Sequence, residues 1–317
     1  RTKMDQVTQR NIVSVGWLSV FILLFLFAQR PETAMASDFN TPWIYAQKTD
    51  SHARLLFRKV YLFQGKPRQA SLSIATTGYC KVYVNECKIG TAPYIPLRFC
   101  NDTNAVRLTF DITPYLRGDS NVVAVLYSPL PRQKVERQKQ IAISFYGTDH
   151  QGHVFSLVSD SSWLCREAWS RIAEDGTETI DQRKRDPQWK AASIQDIAMW
   201  MPASAASKTT ASKYESGACQ PIVSHVDTWY ADSIRSSQIT LPNAFYGFFR
   251  ATIRGARKGQ RIRLGQLLYI CDGTMDEQAY PEFGATYTGG LSITGKKRLI
   301  NTLDMVSIEK RKRLLYN

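Results

Sequence analysis

The sequence predicts an all-β protein: an antiparallel sandwich or jelly roll followed by a second β-rich unit. Three observations lead there. Turn-forming residues recur about every 8 to 14 positions, the spacing of short antiparallel strands. Apolar and polar residues alternate between those turns with a period of two. No helical periodicity longer than about 10 residues stands out before Lys184.

The elements follow in order. "ARLLFRKVYLF" (Ala53 to Phe63) reads as a sandwich strand closed by the turn "QGKP". In "QASLSIATTG", Ala70, Leu72 and Ile74 share a face with serines opposite, and in "AVRLTFDITPYL", Val106, Leu108 and Phe110 do so. "NVVAVLYS" (Asn121 to Ser128) is apolar throughout, as a buried strand is. "QIAISFYG", "HVFSLVSD" and "SSWLCREAW" continue the series. The Ala-, Ser- and Thr-rich stretch 201–217 reads as a linker between a jelly-roll module (37–200) and a second sandwich (218–317). In that second part "SSQITLP", "FYGFFRATIRG" and "QRIRLGQLLY" are three strands, the last two joined as a hairpin by "GARKG".

The segment "CKVYVNECKIG" (Cys80 to Gly90) fixes how the cysteines are read. With Asn85-Glu86 as a two-residue loop, Val84 pairs with Cys87, Val82 with Ile89 and Cys80 with Thr91. Cys80, Val82, Val84, Cys87 and Ile89 then share a core face, and Lys81, Tyr83 and Lys88 share the other. In that register the two cysteines lie about 13 Å apart along the strand axis. A disulfide needs Cα atoms within about 7 Å, so both are expected as core residues. No CxxC occurs among the six cysteines, and no histidine lies near them in sequence, which argues against a zinc ribbon.

At 44% hydrophobic and 21% charged, the composition excludes a disordered chain. The net charge of +14 points to an acidic partner: nucleic acid, an anionic envelope surface or an acidic glycan. The basic residues are scattered and no nucleic-acid motif accompanies them, so nucleic acid is set aside. Basic residues precede the apolar run Ile12 to Ala28, and Ala34-Met35-Ala36 has the small-x-small pattern of a cleavage site. Residues 1–36 are therefore expected to be a signal peptide. The mature chain would be periplasmic or secreted, with no stable membrane span after cleavage; an uncleaved anchor is the other reading.

The hairpin and its surroundings carry a family resemblance. Gly78, Tyr79, Tyr83 and Asn85, followed by Asp111, Thr113, Leu116, Gly118 and Asn121, resemble the jelly-roll module of bacterial α-L-rhamnosidases. "LLFRKVYL" resembles that family's arginine-bearing strand, "SDSSWLCREAW" its Ser-Asp-x-Ser-Trp element, and "IDQRKRDPQWKAASI" its Asp-x-Arg…Trp element. The second part resembles the β-sandwich that follows. Glu86 stands where the family has glycine, a position that favours positive φ.

The resemblance implies the non-catalytic N-terminal portion of an α-L-rhamnosidase-like glycoside hydrolase, acting on a rhamnose-containing glycan. The family's catalytic carboxylates lie in a later α/α barrel with an Asp-Cys-Pro-x-Arg-x-Glu signature. That signature is absent here, and the expectation is a chain truncated before its catalytic domain, inactive alone. A free-standing carbohydrate-binding module and a basic envelope adhesion or scaffold protein are the alternatives.

No catalytic residue is assigned. Asp272, Asp276, Glu277 and Glu282 offer the paired carboxylates that glycoside hydrolysis uses, but clustered acids in a loop are ordinarily solvated. Carbohydrate contact is expected at Tyr83, Asn85, Asn101 and Asp102, and calcium, if bound, at the oxygen-rich pair Asn101 and Asp102; an Asx turn is the other reading of that loop. Tyr79, Tyr83, Trp163, Trp169 and Trp189 could stack on a sugar or pack in the core.

Overall fold

The computed structural model describes residues 41–96, 106–130, 139–194, 196–206, 213–214 and 222–309. These belong to one compact unit, Thr41–Asn317. The expected signal peptide, the pair Asn101 and Asp102, and Cys100 and Cys219 lie outside the described residues.

No α-helix occurs among the described residues, and the all-β expectation of sandwich layers holds. The strands are β1 (Trp43–Tyr45), β2 (Ala53–Leu62), β3 (Gln69–Thr76), β4 (Tyr79–Val84), β5 (Cys87–Lys88), β6 (Val106–Asp111), β7 (Ser120–Ser128), β8 (Gln140–Thr148), β9 (Val154–Val158), β10 (Leu164–Ile172) and β11 (Glu178–Asp181). They continue with β12 (Met201–Pro202), β13 (Ser204–Ala206), β14 (Lys213–Tyr214), β15 (Ile222–Tyr230), β16 (Gln238–Arg254), β17 (Arg261–Leu264), β18 (Leu267–Ile270), β19 (Asp276–Ala279), β20 (Thr286–Gly295) and β21 (Ile300–Glu309).

One sheet runs β13-β1-β8-β3-β6-β14, with β9 beside β8. The other runs β15-β21-β16-β20-β17-β18-β11-β10-β2-β7-β4-β5, with β12 on β10 and β19 on β16. The link between its halves is the parallel pair β11–β18. The stretch read as a linker begins with β12 and β13, which pair with β10 and β1.

The middle of the long sheet is buried on both faces. Leu55, Phe57, Val123, Val125, Cys80, Val82 and Val84 pack into the jelly-roll core with Leu72, Ile74 and Phe145. Their neighbours Leu56, Val122, Ala124 and Leu126 enter a second core with Trp169, Trp189 and Phe249. A strand covered on both sides has no reason to alternate, which explains the uninterrupted run "NVVAVLY".

Three local expectations are corrected. "SSQITLP" and "FYGFFRATIRG" form the single strand β16, whose register against β20 shifts between Thr240 and Phe245. "GARKG" does not join a hairpin: β16 pairs with β19, β20 and β21, while β17 pairs with β18 and β20. The tight hairpin lies inside "QRIRLGQLLY", where Leu264 faces Leu267 across Gly265-Gln266. Gly265, at φ 58, is the first central residue, and only glycine enters that region freely. Cys87 is exposed rather than in the core. It shares the face of Val84, but β5 is the last strand of its sheet and two residues long, so the turn projects beyond the core.

Candidate functional site

The β4–β5 hairpin keeps the predicted register at Val84–Cys87 and Tyr83–Lys88, and the Ile89 N–H donates to the Val82 carbonyl at 2.9 Å. Cys80 departs from it, pairing with Ile95 instead of Thr91. Gly90, at φ 75, turns the chain out of the strand, and residues 91–94 loop away before returning.

The turn residues Asn85 and Glu86 have φ of 48° and 71°, the pair of positive values a type I′ turn requires. Asparagine tolerates that region; glutamate pays a steric cost. Asn85 is buried and wholly engaged. Its amide nitrogen donates to the Tyr115 carbonyl and to Asn121 Oδ1, each at 2.8 Å, and its Oδ1 accepts the Val122 N–H at 2.9 Å. Asn121 in turn closes the 117–121 turn through the Arg117 N–H and carbonyl. Asn85 thus ties two motifs of the sequence together from behind the hairpin.

The opposite face of the hairpin meets the loop after β19. Lys81 Nζ lies 3.1 Å from Glu282 Oε2, and both side chains are buried. The Glu282 N–H donates to Glu178 Oε1 at 2.7 Å, and that oxygen also pairs with the fully buried Arg54 at 2.5 Å. Phe283 lies under both cations, 4.8 Å from the Arg54 guanidinium and 5.3 Å from Lys81 Nζ. Burial raises the Glu282 carboxyl pKa, but Lys81 and Arg54 outweigh that and hold it below the ordinary carboxylate range.

A groove in three adjoining parts opens beside this network, and Phe248 lines all three. The smallest, 200 Å³, is walled by Lys81, Tyr83, Lys88, Tyr94, Tyr280 and Glu282. A 600 Å³ part continues along Tyr79, Tyr246 and Phe283. The largest, 920 Å³, spreads over the outer face of β16, β19 and β21. Its rim is polar: Arg250 donates to Asp304 at 2.9 Å, Thr228 donates to the same carboxylate at 2.8 Å, and Gln278 donates to Thr252 at 3.0 Å. Phe248 and Tyr280 form its aromatic floor, with ring planes 30° apart and centroids at 6.2 Å. Such a mixture, apolar faces beside fixed donors and acceptors, suits a polyhydroxylated ring.

The sequence-selected acids divide. Asp276 is exposed, against Arg254 at 2.7 Å, and Asp272 is half-buried, whereas Glu277 and Glu282 are buried. Glu277 accepts the N–H groups of Asp272 and Gly273 at 2.9 and 3.0 Å; burial nevertheless raises its pKa. Trp163, Trp169 and Trp189 are core residues; Tyr79 and Tyr83 are half-buried in the groove. Among the described residues no three His, Cys, Asp or Glu side chains gather as a metal site. Sequence reasoning placed Lys81, Tyr83 and Lys88 on one face but missed Tyr94, in the loop after β5, and Phe248 and Tyr280, which come from more than a hundred residues away.

The fold is an all-β one in which two sandwich-like parts share the long sheet, with a groove beside their junction. The chain belongs to the α-L-rhamnosidase N-terminal domain family, whose model matches residues 65–225. Among solved structures it is similar to the α-L-rhamnosidase from Dictyoglumus thermophilum, with TM-score 0.70 and 16% identity over 87% of this chain and 36% of that one. The α-L-rhamnosidase from Aspergillus terreus gives 0.70 and 15% over 86% and 36%. That from Streptomyces avermitilis, complexed with L-rhamnose, gives 0.67 and 17% over 82% and 29%. The chain therefore spans about a third of the length of each of these. No curated protein matches it.

Proposed function

We propose that this chain is the non-catalytic N-terminal portion of an exported α-L-rhamnosidase-like glycoside hydrolase and that it holds a rhamnose-containing glycan in its groove. The observation that carries the reading is the aromatic and polar groove at Tyr83, Phe248 and Tyr280 in a member of the rhamnosidase N-terminal family. Tyr83 supplies a ring to the pocket, and Asn85 acts from behind by fixing the turn. Any hydrolysis would belong to another domain.

The test is a titration of the full chain with L-rhamnose, read by tryptophan fluorescence. The Trp189 ring lies 5.2 Å from Tyr83 and should report occupancy. A saturable change that disappears in Tyr83→Ala supports the reading; a flat titration sinks it. Turnover of an aryl rhamnoside by the chain alone would overturn the non-catalytic assignment.

A further inference from the structure

We propose that the small pocket at Tyr83 takes a carboxylate-bearing sugar, a hexuronate, and that Lys88 meets its charge; this rests on reading the groove as a glycan site. The argument begins with register. Lys88 sits directly across from Tyr83 on β5, and Lys81 is two residues away on the same face. Both ammonium groups line a pocket whose one carboxylate among the described residues is Glu282. Glu282 is already held by Lys81 at 3.1 Å, with Arg54 close enough to act on it as well.

Among the described residues Lys88 has no acid beside it. Its Nζ donates to the carbonyls of Gly90, at 2.9 Å, and Ala92, and among the described residues it meets no carboxylate. Two carbonyls engage two of the three ammonium protons and leave the charge uncompensated. Two more cations stand nearby: Lys190 lies over the Tyr83 ring at 4.5 Å, and Arg185 acts on both Tyr83 and Glu282. Burial, with Lys81 beside it, pushes the Lys88 ammonium down to about 8.

The shape favours a sugar over a bare ion. At 200 Å³ the pocket has room for several waters, each needing about 30 Å³. The rings of Tyr83, Tyr94 and Tyr280 offer apolar surface that a free anion would leave uncovered and a pyranose would fill. Surplus cation and aromatic walls together describe a ring with a carboxylate on it.

The experiment compares D-galacturonate, D-galactose, L-rhamnose, acetate and sulfate by calorimetry on the full chain. Galacturonate should bind about tenfold or more tighter than galactose, the worth of one charge-assisted hydrogen bond. That preference should vanish in Lys88→Gln, with the circular dichroism of the variant showing that its fold is kept. It should also shrink with added salt, a readout that needs no variant. Equal affinity for galacturonate and galactose overturns the uronate inference and leaves the glycan reading standing. Acetate or sulfate competing as well as galacturonate overturns it too, reducing the site to a general anion site. Binding of none of the sugars defeats both readings at once.

Discussion

Lys81 and Glu282, 201 positions apart in the chain, meet at 3.1 Å with both side chains 9% exposed. Their ion pair is one end of a buried chain of contacts that runs through Glu178 to Arg54. It joins the jelly-roll hairpin to the β11 strand and the loop after β19 and supports the pocket in which Tyr83 lies.

Breaking that pair on one side should be costly. Lys81→Met strands a buried carboxylate and is expected to lower stability by about 3 kcal/mol or more. Lys81→Met combined with Glu282→Leu removes both charges and should cost less than the sum of the two single changes. Urea unfolding of the three variants measures this.

The same pair gives stability a pH dependence of definite sign. The folded Glu282 carboxyl lies below its ordinary value, so on acidification the unfolded chain binds the proton first. The contribution is complete above the unfolded carboxylate value of about 4.3 and is lost as pH falls through the lower folded value. Urea midpoints should drop over that window, and less steeply in Glu282→Gln. Equal slopes would remove Glu282 from the explanation.

Glu86→Gly should stabilise the chain. Glu86 sits at φ 71, a region costing a side chain about 1 kcal/mol relative to glycine, part of which glycine returns through its freer unfolded state. The Lys190 contact is to the Glu86 carbonyl and survives the change. A thermal melt that moves upward is the expected result.

Asn85→Ala should be destabilising by about 3 kcal/mol, since it leaves buried partners at Tyr115, Asn121 and Val122 unsatisfied. Asn121→Ala attacks the same network, so the double variant should lose less than the two singles combined. Strict additivity would show that the two asparagines act separately.

Cys87 should be alkylated ahead of the buried cysteines. It is exposed, whereas Cys80, Cys165 and Cys271 are buried, and burial pushes the Cys165 thiol up to about 11 and the Cys271 thiol up to about 12. Peptide mapping after brief treatment with iodoacetamide should find the label at Cys87 ahead of those three.

Local patterns were legible. Alternation located β2, β3, β6, β8 and β10, and the Asn85-Glu86 loop fixed the pairing of Val84 with Cys87, because strand period and turn chemistry act over a few residues. The same logic failed at "GARKG", where two glycines between strand-like segments imitate a hairpin. β16 instead takes partners from β19, β20 and β21, and no local rule weighs such distant strands against a neighbour.

By itself the sequence determined the class of the protein, the faces of its strands and the kinship of the Tyr83–Asn85 hairpin with the rhamnosidase module. Only the tertiary structure decided what each face meets. Lys81, Tyr83 and Lys88 lie on the hairpin face opposite the jelly-roll core, and Tyr94, Phe248, Tyr280 and Glu282 line the same pocket with them. Alternation records that a strand has two faces; which of them water reaches depends on segments more than a hundred residues away.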